Sequence, residues 1–116
     1  MTTVTIFHNP RCSKSRETLA LLESKGITPE VRLYLETPLQ KPELEQILSQ
    51  LGMSPRELIR TSEQAYKDQN LKNAELTDDA LIEAMVSTPK LVQRPIVVAN
   101  NRASLGRPPE QVLEIL

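Results

Sequence analysis

The sequence predicts an α/β fold in which a βαβ half and a ββα half are separated by a helical insertion. Three observations predict it. Short β-branched runs stand near both ends of the chain, at Val4–His8 and Ile96–Ala99. Between them, from Pro42 to about Met85, apolar residues fall at helical spacing. The second β-branched run is followed by Asn100-Asn101 and then by Arg102–Leu105, the pattern of a tight hairpin.

Val4 to His8 reads as the first strand. Ser13 to Lys25 reads as a helix whose apolar stripe is Thr18, Leu19, Leu21 and Leu22, and Gly26 stops it. Pro29 precedes Val31-Arg32-Leu33-Tyr34-Leu35, a second strand with alternating faces that ends at Thr37-Pro38. Strand, helix and strand at this spacing make a right-handed parallel βαβ unit. In the next stretch Leu44, Ile47, Leu48 and Leu51 mark one helix, closed by Gly52. Ser54 as N-cap and Pro55 at the first helical position start another, with Leu58 and Ile59 on its apolar face. Thr61 to Asn73 is polar and reads as a loop with a short helical piece. Thr77-Asp78-Asp79 opens a helix carrying Leu81, Ile82, Met85 and Val86, which Ser87-Thr88-Pro89 ends. Arg94-Pro95 introduces Ile96-Val97-Val98-Ala99, wholly apolar and so a central strand. Asn100 and Asn101 tolerate the positive φ of a hairpin turn. Gly106-Arg107-Pro108-Pro109 leads into a last helix, Glu110 to Leu116. This order is the thioredoxin arrangement: a thioredoxin-like (glutaredoxin-like) fold, a single domain over 1–116, with a helical insert at about 42–88.

Composition bounds the function. With 116 residues the chain has room for one core and little more. A net charge of −1 gives no bulk electrostatic case for nucleic acid or a membrane surface. No apolar run approaches the roughly 20 residues that span a bilayer, and residues 1–10 lack the basic and apolar regions of a signal peptide. A single cysteine excludes an internal disulfide, and together these point to the reducing cytoplasm. Without Trp, base-stacking platforms are not expected.

That single cysteine, Cys12, lies in His8-Asn9-Pro10-Arg11-Cys12-Ser13-Lys14-Ser15-Arg16, between the first strand and the first helix. A lone cysteine is commonly a small buried hydrophobe. At a helix N-terminus, however, the dipole and free backbone N–H groups favour thiolate, and Arg11, Lys14 and Arg16 are close in sequence. Cys12 is therefore expected to be a thiolate nucleophile at neutral pH. Ser15 at +3 cannot form a disulfide with it and is expected to donate a hydrogen bond to the thiolate, although hydroxyls are also ordinary first-turn residues. His8 ends the strand: as imidazolium it would lower the thiol pKa, and neutral it would position Asn9 or the loop. Arg60, Arg94 and Arg107 come from three segments, and arginine forks bind oxyanions. Taken singly each reads as a solvated charge, but thioredoxin-like topology brings the loop before Pro95 close to Cys12. There is no GxGxxG, no P-loop and no cluster with metal-ligand spacing, so no metal and no bound cofactor are expected.

His8-Asn9-Pro10-x-Cys12-x-x-Ser15-Arg16 resembles the active-site segment of the glutaredoxin-dependent arsenate reductases. Tyr34-Leu35-Glu36-Thr37-Pro38, Arg94-Pro95-Ile96-Val97-Val98 and Gly106-Arg107-Pro108 extend the resemblance in order along the chain, which looks closest to the short YfgD-type branch. The resemblance implies that Cys12 attacks arsenate, that Arg60, Arg94 and Arg107 hold the oxyanion, and that His8 lowers the thiol pKa. It further implies that Ser15 sits near the thiolate and that Pro95 is a cis-proline. Glutathione as cosubstrate and glutaredoxin would supply the electrons. Arg11 and Lys14 make the loop more cationic than in some members of that family. A related branch, the Spx-type regulators, binds RNA polymerase and switches through a C-x-x-C pair. Ser15 argues against that switch, though not against a protein-binding role without turnover.

Overall fold

The computed structural model describes residues 3–116. In order they form β1 (Thr5–Phe7), α1 (Ser13–Ser24), β2 (Glu30–Arg32), α2 (Lys41–Leu51), α3 (Pro55–Leu58), α4 (Gln64–Asp68), α5 (Asp78–Ser87), β3 (Ile96–Ala99) and β4 (Arg102–Leu105), with 3-10 segments at Pro89–Leu91 and Pro109–Ile115. The chain makes two compact units. One combines the N-terminal part up to Thr37 with the C-terminal part from Arg94; the other is Pro38–Gln93.

The first unit is built on a four-stranded sheet of order β2-β1-β3-β4. β1 runs parallel to β2 and antiparallel to β3, and β3 pairs antiparallel with β4. Ile6 faces Val97 across the two central strands, and both are fully buried. They join Val4, Leu22, Ala99, Val112 and Ile115 in one core, with Leu19, Leu21 and Ile27 packed at its margin. Each large aliphatic side chain buried there contributes about 1.5–3 kcal/mol. Helix α1 turns Ser15, Thr18 and Leu22 inward, a spacing of roughly one and two turns. It ends where expected. Gly26 takes a positive φ of 77°. Its N–H reaches the Glu23 carbonyl while that of Ile27 reaches Leu22, which satisfies two terminal acceptors. Asn100 and Asn101 both adopt positive φ, 55° and 60°, the turn that matches the twist of the β3–β4 hairpin.

Two elements differ from the sequence reading. The second strand covers Glu30–Arg32 rather than Val31–Leu35. The Leu33 carbonyl accepts the N–H groups of both Glu36 and Thr37, so the chain turns where alternation suggested extension. The C-terminal segment Pro109–Ile115 is a 3-10 helix rather than an α-helix. Pro108 and Pro109 remove two N–H donors at its start. Asn100 Nδ2 ties its end by donating to the Ile115 carbonyl at 2.8 Å.

In the second unit, Leu44, Ile47 and Leu48 form the buried face of α2, and Gly52 closes it with a φ of 69°. Ser54 caps α3 and Glu57 returns the bond to the Ser54 N–H at 2.9 Å, a capping box. The Thr77 hydroxyl caps α5 by accepting the Ala80 N–H at 3.1 Å. Leu58, Leu81, Met85 and Leu91 are fully buried. Among the described residues no helix is long and apolar enough to cross a membrane.

Candidate active site

Cys12 is the N-cap of α1, with φ −95° and ψ 124°. Extended backbone at this residue lets its carbonyl accept the Arg16 N–H at 3.0 Å while its own N–H turns back to the Asn9 carbonyl at 3.0 Å. The thiol is 8% exposed. Burial pushes its pKa up. Opposing this are the Ser15 N–H bonded to the sulfur, the Arg94 guanidinium, the Lys14 N–H and the Arg107 guanidinium, in that order of effect. Together these outweigh burial, and the pKa lies below that of an ordinary thiol.

The loop that carries the thiol is pinned at each residue. Asn9 donates its N–H to Ser15 Oγ at 3.0 Å, and its side-chain oxygen accepts the Arg11 N–H at 3.0 Å, an Asx-turn. Arg16 Nη1 donates to the Pro10 carbonyl at 2.9 Å. Buried beneath, Ser15 Oγ lies 2.7 Å from His8 Nδ1.

This arrangement departs from the expected bond between the Ser15 hydroxyl and the thiolate and, of the two roles open to His8, favours the neutral one. The Ser15 hydroxyl is engaged by His8 and Asn9, and it is the Ser15 backbone N–H that bonds to the thiol. Burial, and then the Arg16 charge, lower the His8 pKa, so that the neutral imidazole is favoured. The positive charge beside the thiol is therefore supplied by Arg94 and Arg107, while neutral His8 holds Ser15 and, through it, Asn9.

The two arginines flank the β3–β4 hairpin, Arg94 just before β3 and Arg107 just after β4. The Arg94–Pro95 bond is cis, as the resemblance implies, and the Arg107–Pro108 bond, not anticipated, is cis as well. The Gly106 N–H donates to the Pro95 carbonyl at 3.0 Å, and Arg107 Nη1 donates to the Arg94 carbonyl at 3.0 Å. Gly106 is glycine for want of space: a Cβ there would lie 2.3 Å from Thr18 Oγ1 and 2.7 Å from Pro95 Cγ. Thr18 on α1, Pro95 and Gly106 thus meet at one point, which fixes both arginine loops to the helix that Cys12 caps. The structure brings Cys12, His8, Ser15, Arg94 and Arg107 together in one unit. Arg60 belongs to the other, where its N–H donates to the Leu91 carbonyl at 2.7 Å and its guanidinium pairs with the Glu63 carboxylate. Among the described residues no group of three or more His, Cys, Asp or Glu side chains could hold a metal ion.

Asn9, Arg16, Thr18 and Gly106 do positioning work that sequence reasoning did not assign. Asn9-Pro10 was the one available signal, since Asn before Pro favours turn initiation.

Comparison with known proteins gives the chain's family. The ArsC family pattern matches residues 7–115. The chain is 60% identical to the uncharacterized protein YfgD of Escherichia coli, over 97% of this chain and 96% of that one. It is 49% identical to an arsenate reductase of Haemophilus influenzae, over 97% and 98% of the two chains. An arsenate reductase structure from Vibrio cholerae superposes with a TM-score of 0.97 at 56% identity, covering 99% of this chain and 98% of that one. Matched over nearly its whole length, the chain belongs to the ArsC family.

Proposed function

We propose that this protein is an arsenate reductase, acting through the Cys12 thiolate with glutathione and glutaredoxin as reductants. The observation that carries the reading is the thiol itself. Its pKa is lowered despite burial, by two helix N–H groups and by the paired Arg94 and Arg107. The same two cations are suited to a tetrahedral oxyanion, each charged hydrogen bond contributing about 1.5–3 kcal/mol. Relatives named arsenate reductase support the choice of oxyanion. Arg60 is proposed as the third oxyanion arginine, on the family resemblance.

In this scheme the Cys12 thiolate attacks arsenic, an S–As bond forms, and one arsenate oxygen leaves as water after protonation. A glutathione thiolate then attacks the Cys12 sulfur. The S–As electron pair stays on arsenic, which falls from the +5 to the +3 state and departs as arsenite. The two sulfurs, each oxidised by one electron, are left as a Cys12–glutathione disulfide. With only one cysteine the chain cannot close that cycle internally. Glutaredoxin attacks the mixed disulfide and restores the thiolate. His8 and Ser15 hold the loop in the attacking geometry throughout.

The test is a coupled assay with arsenate, glutathione, glutaredoxin, glutathione reductase and NADPH. Arsenate-dependent NADPH loss that vanishes in Cys12→Ser is the expected result. Full steady-state turnover with thioredoxin and no small thiol would contradict the proposed electron path.

A further inference from the structure

Beside the Cys12 loop lies a groove of about 420 Å³ lined by His8, Asn9, Pro10, Arg11, Leu33, Leu35 and Glu36. Its volume falls within the roughly 300–1,000 Å³ of small-molecule sites. Both walls are fixed before anything binds. One is the Asn9–Arg11 turn, held by Ser15 Oγ, by the Asn9 side chain and by Arg16 on the Pro10 carbonyl. The other is the turn after β2, held by the Glu36 and Thr37 N–H groups on the Leu33 carbonyl and by Arg32 Nε on the Thr37 carbonyl at 3.1 Å. The His8 N–H, donating to the Arg32 carbonyl at 2.9 Å, joins the two walls at their base. A preformed groove saves a ligand the cost of ordering it.

The lining has a definite chemical character. Arg11 and Glu36 supply one positive and one negative group, and both are exposed. Leu33 and Leu35 supply apolar surface between the loops, with Leu35 42% exposed. Arg11 directly precedes Cys12 in the chain. The groove contains neither Arg94 nor Arg107. An inorganic oxyanion has no use for the leucines or for Glu36. A small zwitterionic peptide does: a carboxylate suits Arg11, an ammonium suits Glu36, and methylene groups cover the apolar surface.

We infer that this groove is the binding site of the small thiol reductant, a peptide carrying carboxylates and an ammonium group, and that it is separate from the oxyanion site. The inference rests on the reading of the protein as a thiol-dependent reductase. Arg11 in the lining directly precedes Cys12 in the chain, and neither Arg94 nor Arg107 lines the groove, so a peptide seated there leaves both arginines open to the oxyanion.

The probe is S-methylglutathione, which cannot react, titrated into the ¹⁵N-labelled full chain and followed by amide chemical shifts. Shifts should cluster at Arg11, Leu33, Leu35 and Glu36, and be unaffected by saturating sulfate. Arg11→Glu and Glu36→Lys should each weaken the binding about tenfold, the loss of one charge-assisted contact. In steady state the same variants should raise the KM for glutathione about tenfold and leave the KM for arsenate within about twofold of wild type. Shifts confined to Arg94–Pro95 and Gly106–Arg107, competition with sulfate, no binding at millimolar probe, or unchanged binding in both variants would each overturn the inference. The titration does not depend on turnover, so a chain that binds the probe in the groove but reduces no arsenate would refute the activity and leave the site standing.

Discussion

Ser15 Oγ lies 2.7 Å from Nδ1 of the buried His8 and accepts the Asn9 N–H at 3.0 Å, while the Ser15 N–H bonds to the Cys12 thiol. One residue therefore does two jobs through two different groups. Its side chain supports the loop and its backbone supports the thiolate. Ser15→Ala should lower stability by about 1–3 kcal/mol, because a buried ring nitrogen and a partly buried N–H lose their partner. Urea denaturation reads that loss. The pH midpoint of Cys12 alkylation should barely move, since the N–H survives. A midpoint raised to that of free cysteine, with stability unchanged, would put the hydroxyl on the sulfur after all.

His8 gives a pH dependence with a definite sign. Burial first, and then Arg16, lower its pKa in the folded protein, so the unfolded state binds the proton more readily. Its contribution to stability is full above the unfolded value of about 6.5 and is lost as pH falls through the lower folded value. Urea midpoints should decline as pH is taken below about 6.5, and His8→Gln should flatten that decline. An NMR titration of the His8 ring with a midpoint at or above the free-histidine value would contradict the assignment.

The contact of Gly106 with Thr18 and Pro95 predicts a costly methyl group. Gly106→Ala should lower stability by about 1–3 kcal/mol through overpacking. It should also weaken sulfate binding, because the displaced loop carries Arg107. Thr18→Ala removes the nearer of the two clashing groups, so the double variant should recover part of the loss in a double-mutant cycle. Strict additivity would show that Thr18 and Gly106 do not share the contact.

Arg94 and Arg107 both act on the thiol, so replacing either with Ala should raise the pH midpoint of Cys12 alkylation. Each replacement should weaken arsenate or sulfate binding about ten- to a hundredfold, by the arithmetic of one charged contact. Arg60→Ala should weaken oxyanion binding to a similar degree if the third arginine is shared with the family. Calorimetric titration of the three variants separates these effects, and unchanged binding in all three would place the anion elsewhere.

Much of this was legible in the sequence because the signals are local. Gly26 and Gly52 end helices through their own φ, Ser54 and Thr77 cap through hydroxyls three residues from their partners, and Asn100-Asn101 makes its own turn. Cys12 was legible for the same reason, as a residue between a β-branched run and a helix. What was hidden depends on distance in the fold. Nothing in the spacing of His8 and Ser15 says that the hydroxyl turns down to the ring rather than up to the sulfur. Alternation in Val31–Leu35 concealed the turn on the Leu33 carbonyl, and that turn builds one wall of the groove. The close approach of Thr18 to Gly106 joins residues 88 positions apart, beyond the reach of any local pattern.

The surroundings of Cys12 lower its pKa, and the rate of its alkylation by iodoacetamide against pH measures that shift. Because Cys12 is the only cysteine, the reaction reports one site without dissection. The expected midpoint lies below the roughly 8.5 of free cysteine. A midpoint at or above that of free cysteine would show that burial outweighs the helix N–H groups and the two arginines, and would contradict the account.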